Sequence, residues 1–414
     1  SRARGARLGR PSSRRSARQP HRMAGAALEA CAPRVAKGRA MGPVCRLIGS
    51  KGIDGDGTEH DIEHVDPFLF CDYVCLEGTD LKKPPFCAHP HTGVAVATIL
   101  CEGDPLNAWD NVQGFEKDKL YPGGVYLLRS GRGCVHDEGG DPVSIGKASS
   151  APFGLPGGDR PARNLRLLQL WFDAGQLHGG GDAPVVSSSV VSPEAVPTAV
   201  AGPMRLRVLL GRYGDCCGVD VPATVLHGAL LPFQGQAVLQ VPTASQGFLF
   251  VMGRAAKISL LGEEHSVGLH EMVLLPARGE AYDVAVEPSL EDFSQESPQS
   301  AKADDALEIL LGFGPPSGKP FYKLLGYGGA VVASSEEKAR ALMRKYEQDP
   351  RSFGISEGTI PADSSRFGLQ QGYKDPLDGK GECQRSDAEA SAPEARFYEV
   401  EKGPFQPKGK GRRK

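Results

Sequence analysis

Apolar and polar positions along this chain fall into many short runs, each closed by glycine, proline or a polar cluster. Val94 to Leu100 sets Val94, Val96, Thr98 and Leu100 on one face of an extended segment and Ala95, Ala97 and Ile99 on the other. Both faces are apolar, as in a strand at the centre of a sandwich. Val125–Leu128 follows the Gly123-Gly124 turn, and Leu165–Phe172 forms a further strong strand. A second set is predicted at 206–210, 224–231, 237–241, 248–251, 257–261, 272–276, 282–286 and 306–312. Helical spacing is clearest near the end of the folded part. Ser334-Ser335-Glu336-Glu337 reads as a capping box, followed by the stripe Ala339, Leu342, Met343, Tyr346. The pattern predicts an all-β protein of two tandem sandwich or barrel domains with a short C-terminal helix.

Regions without such patterning set the expected boundaries. Residues 1–43 are a basic, acid-poor segment expected not to fold. Residues 44–175 form the first domain, 176–203 a Gly/Ser/Pro-rich linker, 204–354 the second domain, and 355–414 a disordered tail. The stretch 287–306 reads as a solvated acidic loop. The basic start resembles an organelle transit peptide, although Met23 and Met41 are both plausible starts. The Lys408–Lys414 end reads as a nuclear address, an RNA-sticky tail or a plain disordered terminus.

Composition narrows the class further. The 414 residues carry a net charge of −2, so no global field attracts nucleic acid. No run of 18 apolar residues spans a membrane. Ten cysteines without a CxxC pair do not form a disulfide scaffold. Cys71, Cys75, Cys87, Cys101 and Cys134 are expected as small buried hydrophobes in a reducing compartment, cytoplasm or nucleus, with an organelle as the alternative. Cys216-Cys217 is expected to be inert or buried, with redox activity as its alternative.

Candidate chemistry centres on His89-Pro90-His91 and, 45 residues after His91, His136-Asp137-Glu138. On extended strands His89 and His91 share a face, as do His136 and Glu138. Two such strands side by side would converge three imidazoles and a carboxylate on one divalent metal, leaving two positions open on an octahedral ion. Iron(II) is the first choice for this N/O set, one ion per chain. Nickel, copper, manganese and zinc suit the same ligands. The bland alternative is four side chains that only hydrogen-bond one another. The second set of strands reads as a weak repeat of the first. Leu239 and Val241 stand in place of His89 and His91, and Asp283 and Ala285 in place of His136 and Glu138. It is expected to be a scaffold without a metal. His227, His265 and His270 are expected to be surface or satisfied histidines.

HPHTG (89–93), YPGGVYLLRSGRGCVHDE (121–138), DPFLFCDYV (66–74), LRLLQLWFDAG (165–175) and GFGPPSGKPFYKLLGYGGAVVASSEEKARA (312–341) resemble the pirin family of the cupin superfamily. The chain reads as a divergent bicupin member, matching over about residues 44–354. The resemblance implies His89, His91, His136 and Glu138 as metal ligands. It also marks departures: Thr92 stands for Arg in HPHRG, Ala95 for Glu in HPHRGFET, and Ala108-Trp109 for the usual HxDS region, with Asp110 and Asn111 as a remaining polar pair. Ala95, two residue pairs along from His91, is expected on the metal side of the same strand.

Two functions follow from the resemblance. One is a metal-dependent dioxygenase acting on a quercetin-like flavonol, with Glu138 as ligand and proton acceptor. The other is a non-enzymatic iron or redox sensor that serves as a transcription co-regulator through protein contacts. The expected partner is therefore a small aromatic substrate or a transcription factor. The chain is expected to be a monomer without direct nucleic-acid or membrane binding.

Overall fold

The structure, a computed structural model, describes residues 32–402 apart from 50–51, 55–56, 78–88, 112–118, 141–163, 174–185, 291–305, 320, 327–328, 350–352 and 355–399. Beside two small two-stranded sheets, four sheets lie in layers, with a helix on the outside of the first. The outermost, the site sheet, holds His89–Thr92, Leu106–Asp110, Lys119–Leu120, Cys134–Gly140, Tyr322–Gly326, Gly329–Ala333 and Val400–Lys402. Next is a first inner sheet whose central strands are Val125–Arg129, Ala95–Glu102, Asn164–Phe172 and Phe68–Glu77. A second inner sheet is built on Glu271–Leu275, Gln246–Val251, Leu307–Gly314, Thr224–Leu230 and Met204–Leu210. The last sheet is Ala237–Val241, Tyr282–Pro288, Ala256–Leu260 and Glu263–Val267. The fold is all-β: two tandem cupin-type barrels, joined inner sheet to inner sheet.

Strand alternation explains the layering. Along residues 94–102, Val94, Val96 and Leu100 point into the first barrel, while Ala95, Ala97, Ile99 and Cys101 point to the seam between barrels. Phe248, Phe250 and Leu310 face them from the second inner sheet. Across the seam Phe68 meets Phe248 edge to face, ring centroids 5.2 Å apart, and Tyr73 meets Phe250 at 5.5 Å.

The seam also buries an ion network. Arg166 of the first barrel reaches Glu308 of the second at 2.8 Å and Glu102 at 2.9 Å, and the His227 ring lies 2.8 Å from Glu308. His227 is thus a satisfied buried histidine. Burial alone would raise the Glu308 carboxyl, but the Arg166 guanidinium and His227 hold it down to about 2.

The barrels exchange their ends, which corrects three expected boundaries. Within the segment expected not to fold, Arg34–Lys37 pairs with Glu271–Leu275 of the second barrel, and Arg39–Met41 joins the first inner sheet. Residues 1–31 lie outside the described residues. In the expected linker, Ser187–Val191 pairs with Val125–Arg129 and Thr198–Ala201 with Met204–Leu210. In the expected tail, Val400–Lys402 pairs with Tyr322–Gly326. Most of the acidic loop also lies outside the described residues.

Tyr322–Gly326 and Gly329–Ala333, which follow the second-barrel strands in sequence, return to the first, with Ala330 beside His91 in a parallel pair. Gly329 permits this approach, since a Cβ there would lie 2.2 Å from the Pro90 carbonyl oxygen. The helix Glu336–Gln348 begins at Ser335, whose side chain accepts from the Lys338 amide at 3.3 Å. It buries Ala339, Met343 and Tyr346 against Leu324, Val331 and Val135, as the stripe predicts. No helix among the described residues is long and apolar enough to cross a membrane.

Candidate metal centre

His89–Thr92 and Cys134–Gly140 are antiparallel neighbours, with His136 opposite His89 and Cys134 opposite His91. The pleat therefore turns His89, His91 and His136 into the first barrel together. Their ligand atoms all lie within 4.8 Å of one another, and all three side chains are 0% exposed. The Nε2 atoms of His89 and His136 are 2.9 Å apart. Two ligands at right angles, each about 2.1 Å from one ion, would sit about 3.0 Å apart. No hydrogen bond of good geometry reaches Nδ1 of His136 or a ring nitrogen of His91, whose nearest polar neighbour outside the cluster is the Ala330 backbone. Buried imidazoles without hydrogen-bond partners are unfavourable unless something else occupies their lone pairs. Burial first, and the neighbouring imidazoles second, hold His91 and His136 well below the usual histidine range. They are neutral at physiological pH, the form a metal requires. The residues present fit a divalent ion.

Glu138 lies beside this cluster, also fully buried, with Oε1 3.7 Å from Nδ1 of His136. It is not among the three residues whose ligand atoms lie mutually within 4.8 Å. Its two oxygens are separately held. Oε1 accepts from the Thr98 hydroxyl, and Oε2 from the Gln169 amide at 3.0 Å. Trp171 donates its indole N–H to Gln169 Oε1 at 3.3 Å and sets its ring edge-on to His91, centroids 4.9 Å apart. Tyr126 lies nearly parallel to His136 at 6.1 Å.

Thr98, Gln169 and Trp171 were not among the expected site residues. The available signal was a polar residue in the middle of each buried strand, Thr98 within VAVATIL and Gln169 within LRLLQLWF.

Two of the departures from the family pattern prove remote from the imidazoles. Thr92 turns away from them, accepting from the Val332 amide at 3.1 Å and donating to the Val332 carbonyl at 3.0 Å. Ala95 does not face the metal side, contrary to the expectation from strand alternation. Gly93, at φ +70°, turns the chain out of the site sheet and into the first inner sheet, and Ala95 then points to the seam. Strand parity does not carry across such a turn. Asp110, opposite His136, accepts from Ser188 at 2.7 Å, and Asn111 ties the Val135 amide to the Phe353 carbonyl. The side chain of Trp109 lies outside the described residues, as does Cys87.

The second barrel presents Leu239 and Val241 to its interior, as expected. Opposite them the register is one residue off the expectation. Val284 and Val286 point inward, while Asp283 is exposed and Ala285 half-buried. The polar position thus moves to solvent, and the four facing positions Leu239, Val241, Val284 and Val286 are apolar.

Residues 51–172 match the family model described as Pirin. No curated protein sequence matches the chain. Among solved structures, quercetin 2,3-dioxygenase from Acinetobacter baumannii superposes with a TM-score of 0.56 at 17% identity, covering 78% of this chain and 98% of that one. A second structure of that enzyme gives 0.51 at 17% identity, over 77% and 90%. The bacterial pirin YhhW from Escherichia coli, in complex with nickel(II), gives 0.42 at 16% identity, over 69% and 100%. At these identities the first two similarities establish a shared fold.

Proposed function

From a chain that carries a pirin-family domain at residues 51–172 of a two-barrel cupin fold, we propose an iron-dependent dioxygenase acting on a flavonol-type, quercetin-like substrate. The observation that carries this reading is the convergence of three buried imidazoles, with one ligand atom of each within 4.8 Å of the others and the His89 and His136 Nε2 atoms 2.9 Å apart. In it, His89, His91 and His136 hold one divalent ion per chain, Fe2+, with Glu138 as the fourth ligand. When bound, such an ion supplies Lewis-acid and oxygen chemistry at its remaining positions.

The chain's own residues do the rest. Glu138 is placed to take the proton of a flavonol hydroxyl at its carboxylate. Val94, Val96 and Leu128, with the Trp171 ring, give the interior an apolar wall that keeps water from the reacting atoms. Among its described residues the second barrel carries no ligand set, and it acts as scaffold in a protein that functions as a monomer.

The complete burial of all four candidate side chains favours a second reading, an iron or redox sensor that contacts a transcription factor. Metal analysis of the purified chain, followed by oxygen uptake and flavonol loss normalised to bound iron, separates the two. One iron per chain with turnover supports the enzyme. One iron without turnover moves the sensor ahead, and a metal-free protein after iron loading removes both.

A further inference from the structure

The Glu138 carboxylate stands 3.7 Å from Nδ1 of His136, and it is gripped from the opposite inner sheet. Thr98 and Gln169 lie on neighbouring strands of that sheet and are paired directly across from one another. Thr98 donates to one carboxylate oxygen and Gln169 to the other, so the carboxylate can neither rotate nor swing without losing a buried hydrogen bond. All three side chains are at most 3% exposed. The Gln169 amide is itself fixed. Trp171 can only donate, so it selects the amide oxygen and leaves the amide nitrogen facing Glu138.

Building on the metal-site reading above, we propose that Thr98, Gln169 and Trp171 form a positioning chain that sets where the Glu138 carboxylate stands relative to the three histidines. A carboxylate offers about four acceptor sites. Two are taken by the tethers, and the tethered Oε1 stands 3.7 Å from Nδ1 of His136. Thr98 and Gln169 thereby fix which lone pairs of Glu138 a metal or a substrate proton can meet. The apolar residues around them have no other need of a hydroxyl or an amide in mid-strand. Trp171 joins the tether to the cluster, because the same ring that orients Gln169 packs against His91.

The test uses the full chain and cobalt(II), whose visible spectrum reports ligand geometry. Unaltered protein is expected to bind one equivalent and His91→Ala to lose it. Thr98→Val and Gln169→Met are expected to weaken cobalt binding by about 10–100-fold and to alter the spectrum. Thr98→Ser, which keeps the hydroxyl, is expected to retain the unaltered affinity and spectrum. Trp171→Phe keeps a ring beside His91 but frees the amide, and is expected to fall between. Thermal midpoints of the metal-free variants separate loss of fold from loss of positioning, and Thr98→Ser keeps the test open should Thr98→Val not fold. Unchanged affinity and spectrum in folded Thr98→Val and Gln169→Met would overturn the positioning chain while leaving the metal site standing. Failure of the unaltered protein to bind cobalt would overturn both.

Discussion

In the first barrel, facing strands bring His89, His91, His136 and Glu138 into an interior that also holds the buried polar Thr98 and Gln169. In the second, the strands Ala237–Val241 and Tyr282–Pro288 bring together Leu239, Val241, Val284 and Val286. Both barrels use the same alternation, but with opposite consequences. An apolar interior needs only to fill space. A polar one needs a partner for every buried group, which here draws in Thr98, Gln169 and Trp171 and gathers one ligand atom from each of the three histidines within 4.8 Å. The second barrel is the first with that requirement removed, and it supplies packing surface and half of the ion network at the seam.

The sharpest way to break this comparison is to place charge where the fold provides no partner. Ala95→Glu would restore the family residue, yet its side chain would enter the apolar seam between barrels. An uncompensated buried charge is expected to destabilise by about 3–5 kcal/mol, with loss of soluble protein or a large fall in the urea midpoint. A soluble Ala95→Glu protein with raised flavonol turnover would place this residue at the metal after all.

Matched truncations in the two interiors give the next largest effect. Leu239→Ala is expected to lower unfolding free energy by about 2–5 kcal/mol while metal content stays at one per chain. His91→Ala is expected to abolish metal content instead. If Leu239→Ala also released the metal at equal folded fraction, the second barrel would be part of the site rather than its scaffold.

The smallest effect concerns the seam and appears only in acid. The Glu308 carboxyl stands at about 2 in the folded chain against about 4.3 when unfolded, so its contribution is full above pH 4.3. That contribution is expected to fade as pH falls toward 2, because the unfolded chain then binds the proton first. Thermal midpoints between pH 5 and 2 should fall more steeply in the unaltered protein than in Glu308→Gln. Parallel curves would show that the Arg166–Glu308–His227 network does not couple the barrels.

Much of the architecture was legible from local pattern. The strands at 224–230, 237–241 and 271–275 fall within a residue of their expected limits and the helix stripe matches, while the cap is Ser335 on the Lys338 amide rather than a box closed by Glu337. The convergence of His89, His91 and His136 was also legible, because strand parity is a property of a few consecutive residues. Parity failed where the backbone left the strand, at Gly93 before Ala95, and where a one-residue register decided between Asp283 and Val284.

Sequence by itself determined the strand content, the apolar nature of the second interior and the three imidazoles on one face, since each follows from alternation within a short segment. Only the tertiary structure decided that Arg34–Lys37 and Gly329–Ala333 cross to the other barrel. The same holds for Thr98 and Gln169 meeting Glu138 from the opposite sheet, and for Arg166 finding Glu308 142 positions away. Those contacts join residues far apart in the chain, and no local periodicity records which distant strand an apolar face will bury against.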